Sequence, residues 1–220
     1  MDQTAMKIEA ARAALAEVRD GMRLGLGTGS TAAEFVRLLA ASGLRDVHCT
    51  CTSAQTEQLA NSLGITTFKL AELAPLDLAV DGADALDEKL RLIKGGGGAL
   101  LREKIVEQAA ARFIVIADET KVVTTFAGQK LPVEVTPFAK DVLEQRFAEL
   151  GPVLRIRDGA PRVTDEGHLI LDVRVPDDRD IADVVAWIKD NAGVVDTGFF
   201  PKEATEAIIA TAQGLKRMIR

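Results

Sequence analysis

Along the first half of the chain, apolar positions recur at two alternating periods. Residues 4–19 repeat them at helical spacing, RLGLG (23–27) reads as a strand and TAAEFVRLLA (31–40) as a helix. DVHCTCTS (46–53) predicts a strand, TEQLANSLG (56–64) a helix ending on Gly64, and ITTFKL (65–70) a further strand. LDLAVDGAD (76–84) is a strand running into a loop, ALLREKIVEQAAA (99–111) a helix and FIVIAD (113–118) a strand. Helices and strands in alternation imply a parallel sheet covered on both faces, with ligands beyond the carboxyl ends of its strands.

Past about residue 130 the rhythm changes. LPVEVTP (131–137) predicts a strand, AKDVLEQRFAELG (139–151) a helix and PVLRIR (152–157) a strand. A turn-rich stretch leads to the strand LILDVRV (169–175), the helix IADVVAWIKDNAG (181–193) and the strand VVDTGFF (194–200). That β-α-β-β-α-β order is the ferredoxin-like split unit. The expected fold is α/β, with a Rossmann-like sheet domain over 1–129 and a smaller ferredoxin-like α+β domain over 130–204. Residues 205–220 are expected to form a final helix packing back on the first domain.

Composition narrows the function. With 47% apolar and 27% charged residues the chain can bury a substantial core. A formal charge of −6 disfavours a general nucleic-acid binder, so an anionic ligand must meet locally placed cations. The start has no basic segment followed by an apolar run, and no apolar run approaches the length of a membrane span, so a cytoplasmic location is expected. Cys49 and Cys51 are the only cysteines. With His48 they resemble a faint metal cluster, but alternation along a strand sends His48 to the opposite face and favours plain packing.

Three loops carry the candidate chemistry. GLGTGST (25–31) leaves a strand and opens a helix, where glycines let a phosphate reach bare amides at a positive helix end. Gly29 falls one place too early for a dinucleotide fingerprint, and the next strand ends without its acidic residue. A plain alternative is helix capping by a Thr31–Glu34 box. In VDGADALDE (80–88), Asp81 and Asp84 stand at a strand end, able to grip a metal or exchange protons with sugar hydroxyls. Asp87 and Glu88 read as a first helical turn or as solvated charge. IKGGGGALLREKIV (93–106) combines Lys94, four consecutive glycines whose amides can wrap a ligand, and Glu103, either a general base or a surface glutamate. IADETK delivers Lys121 to the same sheet edge. The set describes a phosphorylated polyol site. His48 and His168 offer no nucleophile partner, and proton transfer is the economical reaction class.

The strings GTGST, VDGADALDE, KGGGGALLREKIV, IADETK and LPVEVTPFA, with VTDEGHLILDV and GVVDTGFF, resemble in order and spacing the type A ribose-5-phosphate isomerases. The resemblance covers essentially the whole chain. It implies a cofactor-free, metal-free interconversion of D-ribose 5-phosphate and D-ribulose 5-phosphate in the pentose phosphate pathway. It gives Glu103 the proton transfer between C2 and C1 through an enediolate, Asp81 and Asp84 ring opening and proton exchange, and Lys94 the oxyanion. Thr28, Gly29, Ser30 and Thr31, with Lys121 and Lys7, look like the phosphate and substrate cradle. Gly82 and Ala83 between the aspartates, and Gly95, Gly96 and Gly97 after the lysine, complete the implied binding surface. The family implies a homodimer or homotetramer. Rival readings are a non-catalytic sugar-phosphate-sensing domain, which needs the cradle but no base, and a CoA-transferase relative with a glutamate nucleophile.

Overall fold

A computed structural model describes residues 2–220. The chain opens with α1 (Gln3–Leu15), whose first turn is capped by Asp2 accepting from the Ala5 amide at 2.7 Å. β1 (Arg23–Leu26), α2 (Ser30–Ala40), β2 (His48–Cys51), α3 (Ala54–Ser62), the single turn α4 (Leu70–Leu73) and β3 (Leu76–Asp81) follow. Two short strands, β4 (Ala85–Leu86) and β5 (Leu92–Ile93), precede α5 (Leu100–Gln108) and β6 (Ala110–Asp118). The next section runs β7 (Lys130–Val135), α6 (Lys140–Arg146), β8 (Val153–Leu154), β9 (Ile156–Arg157), β10 (Ala160–Pro161), β11 (Leu169–Arg174), α7 (Ile181–Lys189) and β12 (Val194–Thr197). β13 (Phe199–Phe200), β14 (Glu206–Thr211) and β15 (Gly214–Ile219) close the chain.

The large sheet has the order β15-β14-β6-β3-β1-β2, parallel except for the antiparallel edge pair β14–β15. Alternation along its strands builds two apolar layers. Leu78, Val80, Ile114 and Ile116 meet Phe35, Val36 and the alanines of α1 on one side, while Ala79, Phe113, Val115 and Ile209 meet Phe200 on the other. The smaller sheet, β12-β7-β11-β8, is antiparallel throughout and packs against α6 and α7 through Leu143, Phe147, Val184 and Ile188. A three-stranded ribbon, β13-β5-β4, lies beside Lys94. The two sheets thus give the mixed α/β architecture with a mainly parallel central sheet and a ferredoxin-like second sheet.

Residues 205–220 form the β14–β15 hairpin, not a helix. β14 lies against β6 with its residues buried on both faces, so it reads as an unbroken apolar run, and period alone does not separate such a strand from a buried helix. ITTFKL likewise makes only one strand-like bridge, Thr67 to Cys49, before the turn of α4. The Thr31–Glu34 box does not form: Gly29 is the N-cap, with φ +110°, and Glu34 bonds Arg37 at 2.6 Å. Asp87 is buried and folds a tight turn by accepting from the Lys89 and Arg91 amides, so it neither starts a helix nor stays solvated. No helix among the described residues is long and apolar enough to cross a membrane.

Candidate active site

The loops after β1, β3 and β6 converge at the carboxyl edge of the large sheet. Around one cavity of about 120 Å³ stand Lys7 from α1, Thr28–Thr31, Gly82–Asp84, Lys94–Gly97, Glu103 from α5 and Lys121. Among the candidates from sequence, Asp81 alone does not line it. Asp81 lies beneath the floor, 1% exposed, and Gly27 makes that depth possible. A Cβ at Gly27 would fall 2.1 Å from the Asp81 carboxylate, and Gly82 follows so closely that its amide donates to Asp81 Oδ1 at 2.6 Å. The Thr28 amide donates to the same oxygen at 3.0 Å. Asp84 faces the cavity and accepts from the Gly96 amide at 2.7 Å, so the glycine loop is tied to the DGAD loop.

Lys94 organises the floor. Its Nζ lies 2.8 Å from Asp81, 3.1 Å from Glu107 and 3.5 Å from Glu103, and donates to the Gly82 carbonyl at 2.6 Å. The rings of Phe113 and Phe200 lie on its apolar side with centroids 5.7 and 5.6 Å away. All four charged side chains are buried. Burial opposes the Lys94 charge, but the surrounding carboxylates outweigh it and hold its pKa well above the usual lysine value. Burial pushes Glu103 up; Lys94 pulls it back and Asp81 and Asp84 push it up again, leaving it at about 8. Burial also drives Glu107 well above the usual carboxylate range, against the pull of Lys94. Four acceptors therefore surround an ammonium with three N–H bonds. Glu103, the most distant of them, keeps free capacity toward the cavity.

The far end of the cavity is built for an anion. No side chain caps α2, so its first amides at Ser30 and Thr31 line the cavity. Lys7 donates to Ser30 Oγ at 2.9 Å, and Lys121 stands at the rim. Thr28 is held from behind by the hydroxyls of Thr52 and Ser53 at 2.7 and 2.8 Å.

The family model for ribose 5-phosphate isomerase A (phosphoriboisomerase A) matches residues 48–214. The chain belongs to the ribose 5-phosphate isomerase A family. Ribose-5-phosphate isomerase A of Sinorhizobium medicae is 51% identical across 99% of this chain and 99% of its own, and that of Agrobacterium fabrum is 48% identical across the same shares. Among solved structures, a D-ribose-5-phosphate isomerase in complex with phospho-erythronic acid superposes with a TM-score of 0.94 at 36% identity, covering 100% of both chains. Ribose 5-phosphate isomerase A of Methanocaldococcus jannaschii gives 0.91 at 38%, covering 98% of this chain and 99% of its own. Membership makes this chain an enzyme of the isomerase class.

Glu107, which the sequence did not single out, is sealed against Lys94, and its Oε2 has no hydrogen-bond partner. The available signal was its place one turn after Glu103 on the same helix face. His48, Cys49 and Cys51 form no metal-holding cluster: Cys49 is buried, burial pushes both thiols up to about 12, and His48 lies against the Phe68 ring. Among the described residues no cluster of three or more His, Cys, Asp or Glu side chains is arranged to hold a metal ion.

Proposed function

We propose that this chain interconverts D-ribose 5-phosphate and D-ribulose 5-phosphate, with Glu103 moving a proton between C2 and C1. The observation that carries the proposal is a buried glutamate whose carboxyl is pushed to about 8, beside a buried ammonium, in one cavity with an uncapped helix N-terminus. The substrate phosphate sits on the α2 amides with Lys7, Ser30, Thr31 and Lys121, which places the sugar carbons toward Glu103.

From aldose to ketose, the Glu103 carboxylate accepts the C2 proton. The C–H electron pair becomes the C1=C2 bond, and the C1 carbonyl oxygen takes the negative charge. Lys94 and the amides of Gly95–Gly97 are the groups able to stabilise that oxyanion. A proton then passes from the C2 hydroxyl to O1, with Asp84 as the exposed carboxylate able to relay it. The resulting C2 alkoxide closes to a carbonyl while C1 takes the proton back from Glu103. Asp81, buried below, fixes Lys94 and does not reach the sugar in this scheme. No step uses a cofactor or a metal ion. We further propose that the enzyme acts in the cytoplasm, in the non-oxidative pentose phosphate pathway, as a homodimer or homotetramer.

The test is turnover of ribose 5-phosphate by purified protein, coupled to detection of ribulose 5-phosphate, run in deuterated water. Label entering at carbon together with turnover is expected; a protein that forms no ribulose 5-phosphate would remove the proposal.

A further inference from the structure

One peptide group of the glycine loop is held at both ends. The Gly95 carbonyl accepts from Arg155 Nη1 at 2.6 Å, and the amide of the same peptide, Gly96 N–H, donates to Asp84 Oδ2 at 2.7 Å. The next carbonyl, Gly96, accepts from the same Arg155 nitrogen at 3.2 Å. Arg155 comes from the small antiparallel sheet, at the break between β8 and β9. Its guanidinium is locked by Asp172 on β11, with Nε 2.9 Å from Oδ2 and Nη2 on the other oxygen, and both side chains are 11% exposed.

We propose that Arg155, held by Asp172, is a positioning residue that sets the Asp84 carboxylate and the glycine-loop amides through the Gly95–Gly96 peptide. A trans peptide directs its N–H opposite its C=O, so fixing the two carbonyls on the guanidinium fixes the amides of Gly96 and Gly97 toward the other side, where Asp84 and the cavity lie. A cation on the carbonyl polarises the peptide and strengthens the bond from its N–H to the carboxylate. Within the loop the Gly98 amide also donates to the Gly95 carbonyl, at 3.0 Å, and Arg155 adds a hold from outside. Gly95 and Gly98 have φ of +93° and +83°, the intervening glycines carry no side chain that could pack, and a Cβ at Gly96 would lie 2.6 Å from Asp84. The smaller sheet thus reaches the chemistry without lending a residue to it.

The kinetic arm rests on the proposed isomerase activity; the spectroscopic arm does not. Arg155→Met should lower kcat by about 10- to 100-fold, the scale of a misplacement near 1 Å, with KM within about threefold because the phosphate end is untouched. Arg155→Lys, which retains one donor to the carbonyl, should recover part of the loss. In an Asp84→Ala background, adding Arg155→Met should cost several-fold less than it does in the native protein, the non-additivity expected if the arginine acts in part through the aspartate. In amide hydrogen exchange, Gly96 should be protected in the native protein and exchange faster in Arg155→Met than neighbouring core amides do. An equal cost of Arg155→Met in both backgrounds, or unchanged Gly96 exchange, overturns the proposal. A native protein inactive on ribose 5-phosphate would remove the isomerase reading and leave the Gly96 result to decide this one.

Discussion

Replacing Glu103 by Gln separates the base from everything else that the side chain does. The amide keeps the size of the carboxylate and can still accept from Lys94, now 3.5 Å away, but it cannot take a proton from carbon. A positioned base contributes about 10² to 10⁴ in rate, equivalent to about 3–6 kcal/mol at about 1.4 kcal/mol per tenfold, and kcat should fall by at least the lower figure. A second signature is thermodynamic. Burial raises the Glu103 carboxyl from 4.5 to about 8, so between those values the folded protein holds a proton that the unfolded chain has released. That contribution to stability is complete below about pH 4.5 and is lost as pH rises through about 8. At about 1.4 kcal/mol per pH unit, the loss is on the order of 5 kcal/mol. Glutamine never ionises, so the variant should lose less stability than the native protein between pH 5 and pH 9. The native kcat/KM should rise with pH toward an apparent pKa near 8, and this limb should disappear in the variant. The assay combines coupled turnover, exchange of the substrate C2 hydrogen with solvent deuterium, and urea unfolding at both pH values. Native rates of isomerisation and exchange in Glu103→Gln would refute the reasoning and move the search for the base to Asp84.

Gly27→Ala should be among the most damaging small substitutions, because its Cβ would meet the Asp81 carboxylate at 2.1 Å and push it off the Thr28 and Gly82 amides and off Lys94. A loss of about 3–5 kcal/mol, the scale of a broken buried ion pair, should appear in urea unfolding, and a change under 1 kcal/mol would show that Asp81 is not tightly seated. Lys121→Ala and Thr31→Ala should chiefly raise KM, by about 1–3 kcal/mol each, and unchanged KM in both would remove the anion end from its assigned place. Exhaustive chelation should leave turnover intact, since the Lys94 ammonium already occupies the point between three carboxylates where a cation would sit; activity lost in EDTA and restored by one divalent metal would contradict this.

How far the sequence could be read depends on which elements keep a local signal. Glycine loops at strand ends are such a signal, because backbone approach to another group requires them locally; Gly27 against Asp81 and Gly96 against Asp84 are cases in point. The C-terminal hairpin lost its signal because β14, paired edge to edge with β6, is buried on both faces by the two apolar layers. The hardest case is α5. REKIVEQ has the charge pattern of a solvated helix, yet Glu103, Lys104 and Glu107 are all buried, because α5 is wedged between β6 of the large sheet and β7 and β12 of the small one. Lys104 is absorbed by the Thr197 carbonyl at 2.8 Å and Asp196 at 3.0 Å; Glu107 is absorbed by Lys94.

That wedge also explains why the cluster can hold an unusual protonation state. A charged helix face placed between two sheets meets partners from both and almost no water, so each charge is set by its neighbours rather than by solvent. Lys94 lies nearer to Asp81 and Glu107 than to Glu103, and Glu103 is the one of these three carboxylates that lines the cavity. Glu107→Leu tests this ordering. With the nearer competitor gone, Lys94 should draw closer to Glu103 and stabilise its ionised form, so the ascending limb of kcat/KM should move to lower pH. A limb that stays near pH 8, or moves upward, would mean that Glu107 does not compete with Glu103 for the ammonium.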